Sequence, residues 1–333
     1  MVAISPPARV LVTGANGYLA TWVLKKYLEA GYSVRGTVRS LSKSAFLNDK
    51  FAHYGDRFEL VVVEDITKDG AFDEAVKGVD AIAHTASPFH YKSTNPDDLI
   101  IPAVRGTTSI LNSALKHGST LKRVILTSSV AAVREETTVP RAFNESNWNN
   151  SAVEAVKTKG SEVGSVGIYL ASKTLAEKAA WEFVATHKSE ISWDLVVINP
   201  PLVFGASLLF SPSFSFIAEV SSPTYSLPSA QGNWVHVSVA SEAHVLATHA
   251  VAAGGQRIIV KSGPFFFQDL PELGIPNVPR GEPGSTKGIS FIINLETKKA
   301  EELLGLTTAT PLKDAVAESV EDFKTRGYPG FTA

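Results

Sequence analysis

VLVTGANGYLA, residues Val10 to Ala20, decides how the rest of the chain is read. An aliphatic run ends at Gly14, a second glycine follows at Gly17, and the small Ala20 stands three residues further on. That order suits a strand turning sharply into a helix whose free N–H groups face an anion. Positions without Cβ let the backbone close on a pyrophosphate. A Gly-x-x-Gly turn also punctuates ordinary strand-to-helix connections, so its weight comes from its surroundings. Downstream, short β-branched runs (YSVRGTV, FELVVV, DAIAH, KRVILTSS, WDLVVINP) alternate with helical patterns at about Tyr18 to Glu29, Asp97 to Lys116 and Tyr169 to Lys188. Strands separated by helices imply repeated βαβ units and a parallel sheet. The expected fold is a Rossmann-type, doubly wound α/β sheet carrying a smaller, loop-rich C-terminal substrate lobe.

From Pro200 onward Pro, Ser and Phe become frequent and the alternation fades. We therefore expect a cofactor-binding Rossmann domain over residues 1–200 and a substrate lobe over 201–333. The chain should cross back to the sheet through a strand near residues 234–238. Further short elements are expected at QRIIVKS, Leu295 to Leu304 and Leu312 to Thr325, with Gly305 as a helix C-cap.

At 333 residues and 44% hydrophobic content the chain can bury a large core. The formal net charge of -2 offers no field for nucleic acid or an anionic membrane, so a small molecule is the expected partner. Absence of Cys removes disulfides, thiol catalysis and Cys-ligated zinc, and redox chemistry would then need a bound cofactor. No apolar run reaches membrane-spanning length, and a cytoplasmic monomer or homodimer is expected. His84 and His236 lack metal-ligand spacing, so no metal is expected; His84 is read as a structural strand-end residue.

Selectivity between nicotinamide cofactors is written about 20 residues after the glycines, where an acid would hold the ribose 2′-hydroxyl of NAD. From Gly31 to Asn48 the chain has no acid at all and carries Arg35, Arg39 and Lys43 instead. Arg39 and Lys43 suit a 2′-phosphate, which favours NADPH/NADP. Asp65, ending VVVED, could accept from the adenine amino group.

Tyr169 and Lys173 are four residues apart on one expected helix and share a face. A nearby ammonium would stabilise the phenolate of a Tyr whose free pKa is ~10. Ser128 and Ser129 follow the KRVILT strand, at the sheet edge where open α/β proteins bind ligands.

With these motifs in place, the chain resembles the extended short-chain dehydrogenase/reductase family along nearly its whole length, through TGANGYLA, HTASPF, LTSS, YLASK, NPPLVFG and KKAEELLG. It is most similar to the fungal methylglyoxal reductase-type aldehyde and ketone reductases, relatives of plant dihydroflavonol reductase. The resemblance implies a catalytic Ser129, Tyr169 and Lys173. It also implies NADPH contacts from Gly14, Ala15, Asn16, Gly17, Tyr18 and Leu19, and from Arg39, Lys43, Asp65, Ile66, Thr85 and Val203. Hydride transfer to a small-molecule carbonyl is the implied reaction, in which Tyr169 gives the proton while Lys173 lowers its pKa and holds the ribose. Phe89, Val130 and Leu202 would line an apolar substrate pocket, and the Phe-rich lobe (Phe204, Phe210, Phe214, Phe216) fits that, although core packing explains most of those residues. Arg105, Val239 and the Gly205 to Ser207 stretch depart from the family pattern. A nucleotide-sugar epimerase or dehydratase of the same fold, and a non-catalytic NADP sensor, are the alternatives. The missing acid after the second strand speaks against the first, and the retained Tyr and Lys against the second.

Overall fold

The computed structural model describes residues 3–87, 94–208, 231–273, 282–307 and 310–327. β1 (Arg9–Val12) leads through the glycine turn into α1 (Tyr18–Glu29), and Gly31, in the left-handed region at φ 92°, returns the chain to β2 (Ser33–Val38). α2 (Ala45–Phe51) connects to β3 (Phe58–Val62). The chain then crosses to β4 (Ala81–His84), α3 (Asp97–His117) and β5 (Arg123–Thr127). After β6 (Arg141–Phe143) and α4 (Asn150–Lys159) come α5 (Gly164–Thr186) and β7 (Asp194–Asn199).

The large sheet has seven parallel strands. Its order is β10-β7-β5-β4-β1-β2-β3, where β10 is Arg257–Ile259. The chain grows outward from β1 in one direction and from β4 in the other. The carboxyl ends of β1 and β4 thus form the crevice where such sheets bind ligands. Alternation along the strands feeds two apolar layers. Val10, Val12 and Ile125 pack with Val23, Leu24 and Tyr27 of α1 on one face. Leu11, Ile82 and Val124 pack with Ile110, Leu111 and Phe183 of α3 and α5 on the other.

The strand expected to rejoin the sheet near residues 234–238 does not do so. β9 (Gln231–His236) lies in a separate three-stranded sheet, parallel to β8 (Leu202–Phe204) and antiparallel to β11 (Gly263–Phe266). The return to the large sheet is made by QRIIVKS, expected in the lobe, whose Arg257 to Ile259 pair with Val197 to Asn199. The connection is α6 (Val237–His249), an apolar helix whose Ala243, Val245 and Ala247 cover the sheet as one more βαβ crossover. Beyond it come α7 (Asp269–Glu272), β12 (Ile293–Leu295, paired with β6), α8 (Lys298–Leu304, capped by left-handed Gly305) and α9 (Leu312–Thr325). α5 begins at Gly164, five residues before its expected start. The GSVG segment is a poor helix former by propensity, and burial on this helix starts only at Ile168.

No described helix is long and apolar enough to cross a membrane, and no described cluster of His, Asp or Glu could hold a metal.

Candidate active site

The glycine turn is built so that the backbone can approach a ligand. Gly14 has φ 65°, and a Cβ there would come within 3.2 Å of the Ala86 side chain. Its N–H donates to Thr37 Oγ1 (3.0 Å), and the Ala15 N–H donates to the Thr37 carbonyl (2.8 Å). Gly17 is the N-cap of α1, with no side-chain cap and no acid in the first turn, so that end of the helix is open to an anion. Gly36 is required underneath, since a Cβ on it would sit 2.8 Å from Ala15 and 2.9 Å from Leu60. Asn16 and Leu19 lie partly exposed on the turn. Tyr18 is committed elsewhere: its hydroxyl donates to the Gly205 carbonyl (2.8 Å), and burial, then Asp322 and Glu318, raise its pKa. Only its backbone is available to a phosphate; its ring locks the turn to the C-terminal lobe.

Arg39 stands exposed directly after β2, and the Lys43 side chain lies outside the described residues. Asp65 forms an Asx turn, with Oδ1 accepting from Thr67 N (2.9 Å) and Thr67 Oγ1 (2.7 Å). Those bonds, helped by Lys68 and Arg39, hold its carboxyl below the usual range. Ile66 packs where α3 has Gly106, against which its Cδ1 would clash at 2.9 Å with any added Cβ. The Thr85 hydroxyl donates to the Thr13 carbonyl, so Thr85 ties β4 to β1 at the crevice.

The two serines after β5 face opposite ways. Ser128 is buried, and its hydroxyl donates to Glu177. Ser129 is partly exposed, caps the Val130–Ala132 turn by accepting from Ala131 N (3.1 Å), donates to the Pro200 carbonyl (3.4 Å), and stands near enough to the Tyr169 phenol to lower its pKa. Lys173 lies one helical turn beyond Tyr169 and is 9% exposed. Its Nζ donates to Ser87 Oγ at 3.1 Å. Ser129, Tyr169 and Lys173 thus converge at the carboxyl edge of the sheet.

One expectation about the pair is not met. Burial pushes the Tyr169 phenol up to about 12, Ser129 offsets this only in part, and Lys173 does not bring it down. The Lys173 ammonium stands 6.0 Å from the Tyr169 ring centroid and is itself lowered by burial to about 8, against the pull of Glu177. At neutral pH the site therefore presents a protonated phenol beside a protonated amine, the forms a proton donor and its partner need.

Of the expected pocket residues, Val130 is a core residue, 7% exposed in a cluster with Val133, Phe143, Ile259 and Leu295. Leu202 and Val203, on β8, are partly exposed, Leu202 against the Phe204, Trp234 and Phe265 cluster of the lobe. Phe204 belongs to that core. Phe89, Phe210, Phe214 and Phe216 lie outside the described residues.

The family model for NAD dependent epimerases and dehydratases matches residues 10–260. This chain is a member of that family, the extended short-chain dehydrogenases/reductases. It is 34% identical to the NADPH-dependent methylglyoxal reductase of Saccharomyces cerevisiae, over 89% of this chain and 92% of that protein. It is 33% identical to a cinnamoyl-CoA reductase of Medicago truncatula, over 96% of each. Among solved structures, yeast methylglyoxal/isovaleraldehyde reductase complexed with NADPH superposes with a TM-score of 0.84 at 31% identity, over 96% of this chain and 99% of that one.

Several residues of this family member's site were not anticipated from sequence. Glu177, one turn past Lys173, is 1% exposed and fully engaged. It accepts from Ser128 and Asn199 on one oxygen, and from Arg257 of β10 and Trp181 on the other. Arg257 also donates to the Glu145 and Asn147 carbonyls and lies 3.7 Å from the Trp148 ring centroid. A Glu at i+4 from Lys173 on a helix face turned to the core was the available signal. His236 is structural, joining Ser238 to Glu318 of α9.

Two buried histidines set an acid limit on the fold. Burial lowers His84 to about 3, helped by Lys173, and His244 to about 4, where the Ala240 carbonyl partly opposes it. Unfolded histidines take up protons that these refuse, so their contribution is complete above ~6.5 and is lost as pH falls. At about pH 5, one and a half units below that value, each should cost about 2 kcal/mol at ~1.4 kcal/mol per unit. Urea unfolding at pH 8 and pH 5 should therefore differ by about 4 kcal/mol; equal midpoints would show that the histidines are free to protonate in the fold.

Proposed function

We propose that this protein is an NADPH-dependent carbonyl reductase in which Ser129, Tyr169 and Lys173 carry the proton chemistry. The observation that bears most weight is the convergence of Ser129, Tyr169 and Lys173 at the carboxyl ends of the strands, with the Ser129 hydroxyl acting on the Tyr169 phenol and Lys173 one helical turn beyond. The described residues fit a dinucleotide: Gly14 leaves room a Cβ would fill, the start of α1 is uncapped and free of acids, and Arg39 projects past β2. The turn from Gly14 to Leu19 would hold the pyrophosphate, Arg39 with Lys43 the 2′-phosphate, Asp65 and Ile66 the adenine side, Thr85 the crevice wall, and Val203 the nicotinamide side. When bound, NADPH supplies the hydride.

The chain's own groups do the remainder. Ser129 and Tyr169 direct their hydroxyls at the carbonyl oxygen of the substrate and stabilise the charge that develops there. Tyr169 then gives its phenolic proton to that oxygen, a step its high pKa permits because the proton is still present at neutral pH. Lys173 keeps a positive charge next to the phenolate that results and orients a ribose hydroxyl. The relatives named as methylglyoxal reductase, cinnamoyl-CoA reductase, ketoreductase and aldehyde reductase support this class of substrate.

Incubating the protein with NADPH and a panel of aldehydes, α-diketones, aryl ketones and β-keto esters should give loss of the reduced nicotinamide absorbance. No turnover with any member would count against the proposal. Cofactor choice is tested separately. Arg39→Ala should raise the KM for NADPH about 10-fold or more, as loss of a charged hydrogen bond does, and leave that for NADH unchanged. An equal rise for both would remove Arg39 from the phosphate site.

A further inference from the structure

Beside Lys173 lies a small, partly open pocket whose lining includes His84, Thr107, Thr127, Ser128, Lys173 and Glu177, with room for about one water molecule. The hydrogen bonds around it assign the protons. Thr13 Oγ1 accepts from Thr85 N (3.1 Å) and Ala86 N (3.0 Å), which occupies both its lone pairs. Its own hydrogen must therefore go to His84 Nδ1, 3.0 Å away. His84 Nδ1 is thus an acceptor, and the ring proton of the neutral imidazole sits on Nε2. That Nε2–H is buried on a residue 2% exposed and meets no acceptor among the described residues. An orphaned buried donor of this kind costs about 1–3 kcal/mol unless something fills the gap.

The other walls supply what a water needs. Thr107 and Thr127 spend their hydroxyl protons on the Ala103 carbonyl and on His244 Nε2, leaving oxygen lone pairs free to accept. His244 is an acceptor there because its Nδ1–H is given to the Ala240 carbonyl. Lys173 has three N–H donors, and Ser87 takes only one.

We propose that the cavity is a water site, and that His84 is a positioning residue that acts through this water on Lys173. The water accepts from His84 Nε2–H and from one Lys173 N–H, and donates to the threonine oxygens. It gives the ammonium a polar partner on its buried side and turns its remaining N–H toward the cleft. The titratable groups around Lys173 are Tyr169 and Glu177 on its own helix, His84 from β4, and Arg257 from β10 behind Glu177. α3 contributes Thr107 to the cavity. This inference rests on the proposed role of Lys173, but the water itself can be tested without activity.

Asparagine places its amide near Nδ1 of a histidine and glutamine near Nε2. His84→Asn thus keeps an acceptor for Thr13 and loses the donor to the cavity, whereas His84→Gln keeps the donor. A high-resolution crystal structure of the NADPH complex should show an ordered water within hydrogen-bond distance of both His84 Nε2 and Lys173 Nζ. The alkaline limb of the kcat/KM profile should move to lower pH by about one unit, a tenfold change in the protonation equilibrium, in His84→Asn, and return in His84→Gln. A purely structural histidine predicts the reverse order, with His84→Gln the less stable variant and neither limb displaced. A dry cavity, or the same profile in His84→Asn as in the parent, overturns the proposal. A protein that turns over no carbonyl but shows the water keeps the site and defeats only the assigned reaction.

Discussion

Tyr169→Phe is expected to bind NADPH with unchanged affinity and to lose about 10²–10⁴-fold in kcat, the range typical of a positioned general acid. The hydroxyl it removes is the one on which Ser129 acts, and the ring packing is retained. With a phenol at about 12, the parent keeps its proton across the working pH range, so Tyr169 does not set the alkaline limb. Lys173, lowered to about 8 by burial, does. Its charged form is present below that value and is lost above it, so kcat/KM, which reports free-enzyme groups, should fall as pH rises through about 8. A Tyr169→Phe variant that turns over at the parent's rate would remove this residue from the chemistry. Stopped-flow NADPH binding together with steady-state rates distinguishes that outcome from a folding defect.

Arg257→Met is expected to destabilise the protein by about 3–5 kcal/mol, because it leaves the Glu177 carboxylate buried without its cation. Glu177 is 0% and Arg257 8% exposed in their side chains, so neither charge can turn to water. Replacing both with apolar residues should cost less than either single change, as expected when the penalty lies in the unpaired charge. Denaturant midpoints of the two single variants and the double variant measure this; additive losses would argue against a coupled pair. The pair matters beyond stability. Arg257 is on β10, the edge strand, and Glu177 follows Lys173 on α5, so the bond anchors α5 to the last part of the sheet.

The parts of this site that depend on neighbours in the chain were legible in the sequence. The glycine turn, the limits of α1 at Tyr18 and Glu29, and the shared face of Tyr169 and Lys173 follow from local spacing and backbone sterics. The resemblance added Ser129 to the triad, and the structure shows why that serine rather than Ser128 faces the cleft: Ser128 is claimed by Glu177. What sequence did not disclose is set by contacts between distant segments. Arg257 and Glu177 are separated by 80 positions, and Thr13 and His84 by 71. The tautomer of His84 depends on two backbone N–H groups that reach Thr13 only after β1 and β4 pair. The same holds for the strand at QRIIVKS, whose short apolar triplet fits a lobe as well as a sheet edge until α6 is recognised as a crossover. The expectation that Lys173 depresses the Tyr169 pKa, drawn from spacing and from the resemblance, is outweighed by burial of the phenol, with the ammonium 6.0 Å from the ring centroid.

The most direct measurement is the fate of the hydride. NADPH deuterated at the transferable position of the nicotinamide, incubated with the parent protein and a carbonyl substrate, should give an alcohol carrying deuterium at the carbinol carbon, with one alcohol formed for each cofactor oxidised. Cofactor oxidation without deuterium in the alcohol, or no alcohol from any aldehyde or ketone offered, would contradict the assignment of this site to carbonyl reduction.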